Sequence, residues 1–267
     1  MNSTPRFTAI VLAADRHPKD PVAQAAGVSC KALCSLGDTP MVLHVLEALA
    51  TSDFVDARIL CGPPWSVIEQ NTQLQSGIDS GEFTWVMNQA SPSASAYNAM
   101  QSLPEKAPIL LTTADHALLT PDMVDYFCTQ AQASGCDAVA ALALYSRVSA
   151  AYPGVRRTVL KFRDQAYCGC NLFAFLTPKG RTVAKFWRQL EHHRKQPLKM
   201  MGMIGWRVAI RYALGRLSLD DGLTWLSRRL HLRLGVIIMP FPEAAIDVDN
   251  LTDLTFVQRR FNAKVSA

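Results

Sequence analysis

Pro108-Ile109-Leu110-Leu111-Thr112-Thr113-Ala114 is a short apolar run that delivers a carboxylate, Asp115, at its end. A run of this length, apolar throughout, reads as a strand buried on both faces of a parallel sheet. In open α/β sheets, ligands gather outside the carboxyl ends of such strands. A second acidic group, Asp247-Val248-Asp249, stands far along the chain. An Asp at a strand end with another carboxylate folded beside it suits Mg²⁺ held on phosphate oxygens. The competing reading is a turn residue, since Asp is common where strands end.

Outward from this run, strand and helix patterns alternate. Residues 7–14 and 57–62 read as strands, 40–49 as a helix with proline in its first turn, 65–74 as a helix and 83–87 as a short strand. Residues 93–103 are helix-like, and Thr120-Pro121 opens a helix that Gly135 closes. Residues 137–144 are another strand. The alternation predicts an α/β fold, a mostly parallel sheet with helices on both faces. Later, 158–162 and 171–175 read as strands around a turn. Val183, Phe186, Trp187 and Leu190 mark a helix face, 200–217 and 221–230 continue as helix, 236–240 is a late strand and 251–261 a final helix. Without repeats or low-complexity linkers, residues 1–267 are expected to form one domain, with 181–234 as a basic helical insertion within it.

The 267 residues suffice for one large α/β domain, and 49% hydrophobic residues is ordinary for a globular protein. The amino terminus shows no basic segment followed by a long apolar stretch, so no signal peptide is expected. Seven cysteines is an odd count, and Cys30/Cys34 and Cys168/Cys170 lack partners at zinc-finger spacing. Free thiols in a reducing cytoplasm are the expectation. The net charge of +5 is unevenly spread: from Arg181 to Arg233 there are twelve basic side chains and three acidic ones, Glu191, Asp220 and Asp221. Such a concentration points to an anionic partner (phosphate, membrane surface or nucleic acid), against the alternative of a solvated helical surface. Residues 198–217 carry Lys199, Arg207, Arg211 and Arg216, too many charges for a spanning helix. Met201, Ile204, Trp206 and Ile210 could instead face lipid from an interfacial helix, or form core or a dimer contact.

Several segments, taken in order, resemble the MobA-like NTP transferases, nucleotidyltransferases of the GT-A/Rossmann-like fold. Leu12-Ala13-Ala14-Asp15-Arg16 followed by Lys31-Ala32-Leu33 is similar to their glycine-rich loop and lysine signature, and Pro40-Met41-Val42 to the segment after it. Ser91 to Ala99 resembles the segment that touches the base, Thr113-Ala114-Asp115 the metal-binding strand end, and Ile246 to Leu254 the closing acidic element. The family usually carries glycine where Asp15 stands, and a carboxylate there would repel a triphosphate unless turned outward or paired.

The resemblance implies Mg²⁺-dependent transfer of a nucleoside monophosphate from an NTP to a small phosphorylated or lipid-linked acceptor, releasing pyrophosphate. Lys31 and Asp115 would be catalytic, and Asp115 with Asp247 or Asp249 would hold the metal. The nucleotide would meet Leu12, Ala13, Ala14, Asp15, Arg16, Lys31, Ser93, Ser95, Asn98 and Thr113. Arg156, Arg157 and Asn171 lie where such enzymes recognise the acceptor, or else form a polar hairpin surface. Lys31 could instead be a surface lysine, and Ser95 and Asn98 could simply begin a helix. No nucleic acid partner is expected, the oligomeric state stays open, and the expected location is cytoplasmic with peripheral contact to anionic membrane through the basic segment. Two other readings compete: a non-catalytic nucleotide-binding or membrane-associated protein, and a glycosyltransferase, whose Asp-X-Asp is replaced here by Ala114-Asp115-His116.

Overall fold

The alternating apolar residues of the first strand sort the core into two faces. Phe7, Ala9 and Val11 join one buried cluster, while Ile10 joins another, as the period-two geometry of a strand requires. Leu110 faces the first cluster, and Ile109 and Leu111 the second. This computed structural model describes residues 5–15, 19–193 and 196–265.

Ten strands are described: β1 Phe7–Leu12, β2 Ser35–Leu36, β3 Thr39–Pro40, β4 Val55–Cys61, β5 Thr84–Val86, β6 Ile109–Thr113, β7 Ala138–Leu144, β8 Val159–Lys161, β9 Ala166–Phe175 and β10 Leu234–Met239. The main sheet runs β10-β7-β9-β6-β1-β4-β5, with β8 added on β9 and β2-β3 forming a separate hairpin. β5, β4, β1 and β6 pair in parallel, as do β7 and β10. β9 enters between β6 and β7 and is antiparallel to both. The expected mostly parallel α/β architecture is therefore present.

The helices are α1 Pro21–Ala25, α2 Met41–Ala50, α3 Trp65–Ile68, α4 Thr72–Asp79, α5 Pro92–Gln101, α6 Pro121–Ala133, α7 Tyr145–Ala151, α8 Thr182–His192, α9 Pro197–Ile204, α10 Trp206–Ala213, α11 Leu219–Leu230 and α12 Leu251–Val265. α2, α6 and α12 bury apolar residues in the cluster on one face, and α5 and α8 in the cluster on the other. The basic segment forms α8 to α11, the connection from β9 to β10.

Departures from the expected elements have local causes. The expected helix over 65–74 breaks because Asn71 caps a new helix, its side chain accepting from Leu74 N at 3.0 Å. α1 sits in the expected loop, capped by Asp20, which accepts from Val22 N at 2.8 Å ahead of Pro21 at the first position. The helix expected over 200–217 is divided at Gly205, whose φ of 104° only glycine adopts readily and whose Cβ position is filled by the Trp225 ring. β9 starts five residues before the strand expected at Asn171. Cys168, Cys170, Leu172 and Ala174 along it are all buried, the mark of a central strand.

Arg181 anchors α8. Its buried guanidinium donates to the carbonyls of Met100 (3.2 Å), Leu103 (3.3 Å), Pro104 (2.5 Å) and Ala107 (2.8 Å), gathering the carbonyl end of α5 and the loop beyond it. At the other end of the pair, Glu191 accepts from the backbone N–H and the hydroxyl of Ser93, in the first turn of α5. Carboxylates are favoured at a helix amino terminus. α8 is thus held antiparallel to α5 at both ends.

Candidate active site

β1 and β6 are neighbours, so their carboxyl ends open side by side. Beyond β1 the ladder continues for one residue on each flank: Ala13 N donates to Cys61 O at 3.0 Å, and Ala114 N to Leu12 O at 2.9 Å. The chain then turns away on both strands, leaving a cleft of about 1220 Å³ above the sheet. Clefts of this kind, at the carboxyl ends of parallel strands, are where ligands meet α/β folds.

Lys31 is the centre of the polar network. It opens a short 3₁₀ turn over Lys31–Leu33, and its ammonium donates to Asp115 Oδ2 at 2.7 Å and to the carbonyl of Val248 at 2.9 Å. Val248 N in turn donates to the Asp115 carbonyl at 3.0 Å, which brings residues 247–249 against the end of β6. Asp115 Oδ1 accepts from the Thr113 hydroxyl at 2.5 Å. The Lys31 and Asp115 side chains are 16% and 18% exposed, so the pair is sheltered yet open to the cleft. Burial alone would push the Asp115 pKa up, but the Lys31 ammonium and the Thr113 hydroxyl hold it below the ordinary value. Burial would likewise depress Lys31, and the Asp115 carboxylate keeps it above its ordinary value. Both groups are charged at neutral pH.

Asp15 is turned toward the backbone. Both its oxygens accept from Lys31 N, each at 3.1 Å, and the Cys30 thiol below it donates to the Ala13 carbonyl at 3.3 Å. Burial raises the Asp15 pKa, with the Lys31 N–H bond opposing that shift. The carboxylate that sequence alone presents as a source of repulsion therefore ties the β1 turn to the lysine segment.

The expected site residues fall into two groups. Leu12, Ala13, Ala14, Asp15, Lys31, Ser95, Thr113, Asp115, Asn171 and Asp249 line the cleft together. Ser93 is fully buried against Glu191, Asn98 is exposed on α5 away from the cleft, and Arg16 lies outside the described residues. Asp247 does not line the cleft: Arg157 and Asn171 hold its two oxygens, the latter at 2.8 Å. Arg157, only 5% exposed, also donates to Asp253 at 2.6 Å, so it braces the 247–253 segment from within. Arg156 is exposed and outside the cleft lining.

α8 and the residue after it supply cleft residues that the sequence did not assign to the site. Lys185, Trp187, Arg188, His192 and His193 line the wall facing α5, where Lys185 and Arg188 sit over the Tyr97 ring at 5.7 and 5.2 Å. Lys185 and Arg188 had no sequence signal beyond membership of the basic stretch, and Trp187 only its place on the expected apolar helix face. No group of three or more His, Cys, Asp or Glu converges among the described residues, so an all-protein metal cage is not formed there. Mg²⁺ needs less: it is commonly held by one or two carboxylates together with substrate phosphates and water. Asp115 and the exposed Asp249, both on the cleft, fit that donor set.

Comparison with known proteins agrees with this fold. The family profile described as MobA-like NTP transferase domain matches residues 9–233. Among solved structures, a hypothetical transferase from Thermus thermophilus is similar at a TM-score of 0.75 and 25% identity, covering 93% of this chain and 99% of its own. The 4-diphosphocytidyl-2C-methyl-D-erythritol synthase of Anaerococcus prevotii shares the fold at a TM-score of 0.58 and 11% identity, covering 97% and 96%. A CMP:2-keto-3-deoxy-manno-octonic acid synthetase complexed with CTP does so at 0.56 and 12%, covering 97% and 99%. A search of curated proteins found no match.

Proposed function

The chain belongs to the MobA-like NTP transferase family, and from that premise we propose that it transfers a nucleoside monophosphate from an NTP to a small anionic acceptor, phosphorylated or lipid-linked. The observation that carries the reading is Lys31, held between Asp115 and the Val248 carbonyl at the carboxyl ends of β1 and β6.

In this reaction an acceptor oxygen attacks the α-phosphorus in line, the bond to the bridging oxygen breaks, and pyrophosphate leaves with its electron pair. Negative charge builds on the non-bridging and leaving oxygens, so catalysis depends on positioning and fixed positive charge. Lys31 lies at the cleft floor with its ammonium restrained by two partners, which suits it to that charge. Asp15 holds the Lys31 backbone, and the backbone N–H groups of Ala14 and Asp15 in the turn after β1 would meet the phosphates. Asp115 and Asp249 would hold Mg²⁺, which when bound neutralises phosphate charge and orients the triphosphate. Ser95, whose hydroxyl accepts from Gln89 N at 2.8 Å, shapes the base side of the cleft. With Arg157 committed to Asp247 and Asp253, Lys185 and Arg188 on α8 are the cleft-wall cations among the described residues that suit an acceptor phosphate or carboxylate. An acceptor that is already a phosphate anion needs no general base.

A pyrophosphate-release screen, four NTPs against a pool of sugar, polyol and lipid-linked phosphates with Mg²⁺, tests the proposal. Release that requires both an acceptor and a divalent metal is expected. No release with any pair would overturn it. Asp115→Asn is expected to lower kcat by at least ~10²-fold, the scale of removing one charge-stabilising group. The Lys31→Met/Asp115→Asn double variant should regain thermal stability lost by the single variant while staying inactive, because it removes the unpaired ammonium.

A further inference from the structure

α10 is held only lightly to the rest of the molecule. None of its residues is buried. Trp206 and Ile210 are each 50% exposed and Leu214, one turn further on, 61%, so the three form an apolar stripe at four-residue spacing. Arg207 and Arg211 follow the same spacing one position on, which sets them along the edge of that stripe. The opposite side is the attachment: the Tyr212 hydroxyl accepts from Lys161 N at 3.3 Å, and its ring packs edge-on against Phe162 at 5.5 Å. At the amino end, Gly205 seats its backbone on the Trp225 ring, with Arg229 stacked on the same ring at 5.4 Å. The stripe is thus presented outward from a fixed base.

We propose that this face of α10 docks on an anionic membrane surface, with Trp206, Ile210 and Leu214 entering the headgroup boundary and Arg207 and Arg216 meeting lipid phosphates beside Arg211, whose guanidinium is paired with Asp221 at 2.8 Å. Charge selects this occupant. The segment from Arg181 to Arg233 carries twelve basic and three acidic side chains, an excess that a negatively charged leaflet attracts. A second copy is the poorer match, because a twofold contact would set the same cationic face against itself. Nucleic acid would use the arginines but give the stripe no apolar partner. No helix among the described residues is long and apolar enough to cross a membrane, so the contact is one of lying on the surface. The inference stands apart from the transferase reading, and its test measures no turnover.

The full-length protein is floated with vesicles of phosphatidylcholine alone and of phosphatidylcholine with phosphatidylglycerol, at low and high salt. Binding to the anionic vesicles at low salt, weakened by salt and absent on neutral ones, is the expected result. Trp206→Ser/Ile210→Ser should reduce binding at least ~10-fold, and Arg207→Gln roughly fivefold, with unchanged circular dichroism. Brominated lipid should quench tryptophan fluorescence in the wild type and much less in Trp206→Ser. No binding at low salt, or equal binding by the Trp206/Ile210 variant, overturns the proposal. So does self-association in sedimentation velocity that the same variant abolishes without any vesicle binding.

Discussion

At the scale of single residues, Asp15 reverses the sign that its charge alone suggests. A carboxylate next to a triphosphate costs binding energy, yet here both oxygens are spent on Lys31 N. Asp15→Ala should therefore weaken NTP binding, by about tenfold for the loss of one charge-assisted hydrogen bond that orders the lysine segment. Titration calorimetry with each NTP checks this; tighter binding would restore the repulsive role. The position of Asp15 was legible in the sequence, but not its orientation, because the partner is a backbone group sixteen residues away in a loop. The same limit applies to the acidic triplet. Period-two alternation would set Asp247 and Asp249 on one side, but the segment is not a strand, and the structure turns Asp247 to Arg157 and leaves Asp249 on the cleft. Which of the two faced inward depended on Arg157, and nothing local marked that arginine as a brace.

Among the elements, strands rich in apolar residues were the most readable and the α8–α11 segment the least. β1, β6 and β7 announce themselves by largely apolar runs, whereas β9 mixes cysteine, glycine and asparagine and owes its central place to tertiary pairing. The edge where β7, β9 and β10 come together is fixed by Asp137. Its oxygens accept from Arg233 N at 2.8 Å and from the Thr177 hydroxyl at 3.0 Å, and the Arg233 side chain, 68% exposed, adds little. Gly180 is required nearby, since a Cβ there would lie 1.9 Å from the Asp137 carbonyl oxygen. Burial would raise the Asp137 pKa, but the Arg233 N–H and Thr177 bonds hold it below the ordinary 3.8. A depressed carboxylate stabilises the fold above the unfolded pKa and loses that contribution as pH falls through the folded one. Asp137→Ala should therefore cost about 2 kcal/mol at neutral pH. In thermal melts the gap from wild type should narrow below about pH 3.8.

Over the whole molecule, thiol chemistry reports how the core is closed. All seven cysteines are free, and Cys136 alone among them is not buried. Burial pushes Cys30 up to about 12 and Cys34 and Cys61 up to about 11, and raises Cys128 and Cys170 as well. A thiol reagent at neutral pH should thus modify one cysteine rapidly in the native protein and seven in denaturant. Rapid native reaction of several would mean that the cleft side of the sheet opens readily. The sheet itself has a further consequence for synthesis. β9 is the seam between two parallel halves, with β6 and β7 on either side of it and never in contact as strands. A nascent chain that has emerged only to Leu144 carries the strands of β1 to β7 but not the one that joins them. Until residues 166–175 leave the ribosome, β6 and β7 each offer a bare apolar border to any passing strand. The polypeptide is most in need of a chaperone in that interval, shortly before its sheet can be sewn shut.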